Sequence, residues 1–126
     1  MQHTQSLCEN KLFRALYARG KSATAPCMAV YARRNRLKTV SRMGITCSVK
    51  LGGAAQRNRM RRRLREAYRL NEGRFLPGYD IVIVARDSAL KRPFSVLEKE
   101  MLGIFSKLGM TAKDDEKTGI ESDPVL

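Results

Sequence analysis

Histidine, tryptophan and pairable cysteine are scarce in this chain of 126 residues: it has one His, no Trp and only three Cys. The single histidine, His3, lies in an N-terminal stretch that reads as frayed, and no second imidazole exists to build a Ser/His/Asp or Cys/His relay. Cys8, Cys27 and Cys47 are an odd count and too widely spaced for a Cys-x-x-Cys metal pair. They read as reduced thiols, with Cys27 and Cys47 on strand-like stretches where cysteine serves as a small apolar residue. Long hydrophobic runs are also missing. The longest, Ile81 to Ala85, falls far short of the roughly 20 residues a membrane-spanning helix needs. The opening MQHTQSLCEN has no basic start followed by an apolar core, so the expectation is a cytoplasmic protein without membrane attachment.

Acidic chemistry is thin as well. Glu98 and Glu100 fall within one helical turn and read as surface or capping residues. The C-terminal acids lack calcium-loop spacing, so no protein metal site is expected. Gly20-Lys21-Ser22 looks like the end of a phosphate-binding P-loop. That loop needs a glycine at position 15, where Ala15 stands, and a strand before it, where a helix is expected. An NTPase is excluded, and no catalytic side chain is assigned.

Positive charge is what the chain has in excess. The 25 Lys and Arg outnumber the 12 Asp and Glu, for a formal net charge of +13. From Thr111 onward five acids (Asp114, Asp115, Glu116, Glu121, Asp123) face only Lys113 and Lys117, so the first 110 residues carry +16. This divides the chain into one basic domain, residues 1–110, and an acidic tail, 111–126, expected to be disordered. Repulsion on that scale is relieved by a polyanion, which makes nucleic acid the default partner.

The charge is concentrated in QRNRMRRRLREAYRL, Gln56 to Leu70, which holds seven arginines, no lysine and one acid, Glu66. Met60, Leu64, Ala67 and Tyr68 recur at the spacing of one buried helix face. At about 100° per residue, Asn58, Arg59, Arg62, Arg65 and Arg69 then lie on the far side. Arg61 and Arg63 fall at its margins, and Arg57 in the first turn. A disordered basic arm has no reason to carry an apolar stripe. Arginine rather than lysine favours bidentate phosphate contacts, and the helix start behind Gly52-Gly53 offers free backbone N–H groups.

Elsewhere the pattern predicts a helix beginning at Ser6, boxed with Glu9, or at Asn10, and ending at Gly20 in the left-handed conformation. A strand is expected from Cys27 to Arg33, with Met28 and Val30 on one face and Cys27, Ala29 and Tyr31 on the other. A basic connection follows (Arg33, Arg34, Arg36, Lys38). The next strand, about Arg42 to Lys50, shows Ile45, Cys47 and Val49 to the core and Thr46, Ser48 and Lys50 to solvent. Asn71 to Gly73 should end the arginine helix, and Pro77-Gly78 should turn the chain into YDIVIVA, a central strand buried on both faces. A capping box, Ser95 to Glu98, should open a last helix that buries Leu97, Met101, Ile104, Phe105 and Leu108 and stops at Gly109. The class is α/β, an α+β sandwich with helices on a small mixed sheet. Phe13 and Tyr17 could line a stacking groove for single-stranded nucleic acid beside Ala29, Tyr31, Thr46, Ser48 and Lys50. Their spacing fits core positions equally well.

The order of these motifs resembles the bacterial ribonuclease P protein component over roughly Leu7 to Leu108. The stretches that carry the likeness are NKLFRALYARGKS, MAVY, GITCSVKLGGAAQRNRMRRRLREAYR and PGYDIVIVAR. The third is the most specific, a strand ending in Ser-x-Lys-x-Gly followed by Arg-Asn-Arg opening an arginine helix. The resemblance implies an α-β-β-β-α-β-α order on a four-stranded sheet, with a short strand near Ser22 to Thr24. It also implies a left-handed strand–helix–strand crossover, against the usual right-handed rule.

It further implies the protein subunit of an endoribonuclease that removes the 5′ leader from precursor tRNA. The catalytic RNA subunit and its Mg2+ would perform the hydrolysis, and no obligate protein partner is expected. By position, Arg57, Asn58, Arg59, Arg61, Arg62 and Arg65 would contact that RNA. Phe13, Tyr17, Ala29 and Tyr31, with Ser48 and Lys50 at the floor, would hold the leader. The basic arm that many relatives place before the first helix is replaced here by MQHTQS. The competing class is a ribosomal or ribosome-assembly protein that binds structured rRNA and has no preference for precursor over mature tRNA.

Overall fold

The computed structural model describes residues 3–7 and 10–111. Cys8, the Glu9 half of the Ser6 box and the acidic tail beyond Thr111 lie outside the described residues. The element order is β1 (Thr4–Ser6), α1 (Asn10–Arg19), β2 (Lys21–Thr24), β3 (Met28–Arg34), β4 (Ser41–Thr46), α2 (Ala54–Asn71), β5 (Tyr79–Ala85) and α3 (Phe94–Lys107). The strands form one mixed sheet in the order β1-β4-β5-β3-β2. β5 runs parallel to β4 and antiparallel to β3. Its β-branched run is buried along nearly its whole length, as a central strand requires.

The two faces of the sheet hold separate cores. On one, Met28, Val30, Ile81 and Ile83 meet Met60, Leu64, Ala67 and Tyr68 of α2 and Leu97, Met101, Ile104 and Phe105 of α3. On the other, Leu16 of α1 closes over Val82 and Leu7, flanked by Phe13, Tyr31 and Val84. Helices therefore cover both faces. None of the described helices is long and apolar enough to cross a membrane.

The sheet has five strands, not four. The extra strand, β1, pairs in parallel with β4, setting Thr4 opposite Ser41 and Ser6 opposite Met43. Three residues are too few for alternation to register in sequence, and tertiary partners fix them. The Thr4 hydroxyl is 2.9 Å from the Tyr68 hydroxyl, and the His3 backbone N–H donates to Glu72 Oε2 at 3.1 Å. His3 is therefore half-buried against the end of α2, not frayed. With Ser6 in a strand, the first helix starts at Asn10.

Other expectations shift for local reasons. Gly20 does not take a positive φ. Glycine is needed there because a Cβ would stand 2.7 Å from the Leu16 carbonyl oxygen and 3.1 Å from that of Ala32, where α1 meets the sheet. The left-handed stop occurs at Gly109 (φ 73°), where the Met110 N–H reaches back to the Phe105 carbonyl at 2.9 Å and the Gly109 N–H to Ser106 at 3.0 Å. Cys27 sits just before β3, outside the alternation, and joins the same core as Met28. β4 ends at Thr46, and Val49 to Leu51 form a 3-10 turn that leaves Val49 72% exposed. Ser95 lies inside α3, whose N-cap is Pro93, so the capping box does not form. Glu98 instead accepts from Asn71 Nδ2 at 2.9 Å and Glu100 from the Cys27 N–H at 2.9 Å, which ties α3 to α2 and to the start of β3.

Candidate nucleic-acid interface

α2 starts where Gly52 (φ 139°) and Gly53 turn the chain out of the 3-10 segment. The Gln56 side chain reaches back to the Gly53 N–H at 2.9 Å, which fixes the first turn. From there the helix orients as its pattern requires. Met60, Leu64, Ala67 and Tyr68 are buried, whereas Asn58, Arg59, Arg62, Arg65 and Arg69 are exposed. Arg61 and Arg63 are half-buried at the margins. Asn58, Arg61, Arg62 and Arg65 line one open depression of about 570 Å³ with Ala55, and Arg59, Arg62 and Arg63 line another, of about 460 Å³, against Phe94.

The arginines are not equivalent. Asn58 Oδ1 accepts from Arg61 at 2.8 Å, which holds that guanidinium along the helix. Arg63 turns aside and donates to the carbonyls of Leu90 and Arg92, bracing the loop before α3. Arg69 pairs with Glu66 through Nε at 2.9 Å. That hydrogen bond holds the Glu66 carboxyl below its ordinary range and raises Arg69 further. Arg57 stands apart. It is half-buried, its carbonyl lies 3.7 Å from the Cys47 sulfur, and its Nε is enclosed without a hydrogen-bond partner among the described residues. Burial pushes the Cys47 thiol up, partly offset by Arg61 and Arg57. Burial pushes Cys27 up to about 11, with Glu100 adding to the shift, so both thiols are poor nucleophiles at neutral pH.

The second candidate surface lies on the α1 face. Tyr17, 44% exposed, meets Tyr31 edge-on with ring centroids 4.9 Å apart. Strand register places Tyr31, Val82 and Gly44 in one row and Ala29, Val84 and Thr46 in the next. Phe13 is half-buried over the first row. A Cβ at Gly44 would stand 2.8 Å from its ring and 2.7 Å from the Leu7 carbonyl oxygen, so glycine lets the ring settle on the sheet. Phe13 is thus partly core and Tyr17 partly surface. Ser48 and Lys50 are not on this sheet face. They lie in the 3-10 turn beyond β4, where Ser48 Oγ accepts from the Lys50 N–H at 3.2 Å. Among the described residues, no three of His, Cys, Asp and Glu are grouped so as to hold a metal ion.

The chain as a whole has counterparts among known proteins. A family model described as Ribonuclease P matches residues 1–109. The chain is 36% identical over 103 residues to the ribonuclease P protein component of Clostridium botulinum, covering 81% of this chain and 92% of the relative. Its identity to the component from Symbiobacterium thermophilum is 35% over 114 residues, 90% of this chain and 99% of the other. The solved RNase P protein of Thermotoga maritima superposes with a TM-score of 0.72 at 28% identity, covering 80% of this chain and 94% of that one. The Staphylococcus aureus RNase P protein gives 0.70 at 27% identity, with 79% and 90% covered. Matched in sequence and in fold over most of its length, this chain belongs to the ribonuclease P protein family.

Proposed function

We propose that the two surfaces divide the labour of this subunit, the arginine helix gripping the catalytic RNA and the α1 groove holding the precursor tRNA leader. As a ribonuclease P protein component, the chain is a subunit of the endoribonuclease holoenzyme that matures tRNA 5′ ends, and it acts with the ribonuclease P RNA. The observation that carries the division is placement: α2 and the Tyr17–Tyr31 pair sit on opposite faces of one sheet.

On the RNA-subunit side, Asn58, Arg59, Arg61, Arg62 and Arg65 present hydrogen-bond donors in an open row, suited to phosphate oxygens. Arg57 completes the set from the helix start. On the leader side, Tyr17 and Tyr31 offer aromatic surface for bases. Phe13 and Ala29 form the floor, and Ser48 and Lys50, in the turn beyond β4, are assigned to the leader by the family likeness alone. The family likeness assigns Mg2+ to the RNA, whose ions would supply the hydrolytic chemistry; this chain seats and orients. The family likeness also supports a left-handed β4–α2–β5 crossover and a cytoplasmic setting.

The test is reconstitution at low magnesium with a bacterial ribonuclease P RNA. The protein should stimulate leader removal, and the protein alone should leave precursor tRNA intact. Cleavage at the mature 5′ end by RNA-free protein would overturn the assignment of chemistry to the RNA. Because Phe13 is partly structural, Tyr17 is the cleaner probe of the groove. Tyr17→Ala should cost the holoenzyme about 1–3 kcal/mol of precursor affinity if it stacks on a base, measured against mature tRNA, whose binding should not change.

A further inference from the structure

The arginine helix accounts for only part of the chain's charge, and a second basic cleft lies on the other flank of α1. Around that helix, Phe13 and Tyr17 project to one side, while Lys11 and Ala15 project to the other. The second side opens on a cleft of about 690 Å³, walled by Lys11 from α1 and by Arg33, Arg34 and Arg36 from the end of β3 and the connection after it. Its floor is the row in which Arg33, Asp80 and Arg42 stand opposite one another across β3, β5 and β4.

Among the described residues, Asp80 is the one acid lining this cleft. It is spent inside the protein, accepting from Arg42 Nε and Nη2, each at 2.8 Å, and from Asn35 Nδ2 at 3.1 Å. The wall is rigid as well. Asn35 also donates to the Val40 carbonyl at 3.0 Å, and its backbone N–H donates to Gly78 at 2.9 Å. Arg34 lies 5.4 Å from the Tyr79 ring centroid. What faces solvent is therefore a set of exposed cations, Lys11, Arg33, Arg34 and Arg36, over a neutralised floor. The described lining holds no aromatic ring, so the cleft is suited to phosphate rather than to stacked bases.

We propose that this cleft holds backbone phosphates of the precursor tRNA, outside the nucleotides taken by the aromatic groove. The inference rests on the RNA reading above and deepens it. The cleft shares a sheet face with the Tyr17–Tyr31 groove and lies on the face away from the arginine helix, which assigns it to the substrate and not to the catalytic RNA. Along β3, Ala29, Tyr31 and Arg33 point to the same side in steps of about 7 Å. An α-helix about 10 Å across separates the two grooves, so one RNA molecule can engage both.

The test uses the reconstituted holoenzyme with Arg33→Gln/Arg36→Gln and, separately, Lys11→Gln, all exposed positions whose folding is checked by circular dichroism. Precursor affinity should fall about tenfold for the double variant at moderate salt, with a salt dependence flatter by up to about one unit for each phosphate no longer held. Affinity for the ribonuclease P RNA should stay at the wild-type value. Precursors with short and long leaders locate the phosphates: weakening with both assigns the tRNA body, and weakening only with the long leader assigns its distal end. Unchanged precursor affinity, or weakened RNA-subunit affinity in its place, overturns the proposal. Failure of the wild-type protein to stimulate cleavage would instead overturn the underlying reading, so the two failures are distinguishable.

Discussion

Arg62→Ala and Arg65→Ala should each weaken binding of the ribonuclease P RNA and flatten its salt dependence by up to about one unit of log–log slope. The reason is positional. Both guanidinium groups are exposed on the outer face of α2 and line the open depression beside Asn58 and Arg61. Each phosphate neutralised by such a side chain releases condensed counterions, so the effect should be largest at low salt and shrink as salt rises. Filter binding or fluorescence titration across a salt series reads this directly. Arg69→Ala is the contrast, because that arginine is already paired with Glu66. A drop for Arg69→Ala as large as that for Arg62→Ala would mean the helix attracts RNA by bulk charge, with no preferred face. Stability should move by no more than about 0.5 kcal/mol in all three, since none of these side chains enters the core.

Leu64→Ala should do the reverse, lowering unfolding free energy by about 2–5 kcal/mol with little effect on RNA affinity per folded molecule. Leu64 is fully buried beneath the arginine row, in the same core as Met60, Tyr68, Ile81, Ile83 and Phe105. Truncation removes the packing that holds α2 on the sheet and leaves a void that close-packed neighbours fill only in part. Urea titration should show a lower midpoint at an unchanged slope. Below that midpoint, the salt slope of RNA binding should remain that of the parent. A Leu64→Ala protein as stable as the parent would show that α2 is not anchored through this face. Together the two experiments separate what presents the cations from what holds them in place.

Much of this could be read from the chain before its fold, and the reasons are local. Met60, Leu64, Ala67 and Tyr68 repeat at helical spacing, and one helix is enough to decide which arginines face outward. YDIVIVA is a β-branched run bounded by a Pro-Gly turn, and such a run is stable only when covered on both sides. Pairing across long separations was not readable. β1 exists because Thr4–Ser6 finds β4 nearly forty residues on and because Tyr68 and Glu72 receive Thr4 and His3. Glu98 and Glu100 look like ordinary surface acids until α3 docks and gives them Asn71 and the Cys27 N–H.

The candidate site divides the same way. By itself the sequence determined the arginine face, the likeness to the ribonuclease P protein family and the lack of a histidine relay, because these depend on residue type and short-range spacing. Tertiary structure alone decided that Phe13 is half core and Tyr17 half surface, that Ser48 and Lys50 leave the sheet, and that Arg63 braces a loop. It also decided that Arg33 and Arg36 face Lys11 across a cleft whose acid, Asp80, is already neutralised by Arg42. Which charge remains for a ligand depends on which neighbours the fold delivers, and those neighbours come from residues far apart in the chain.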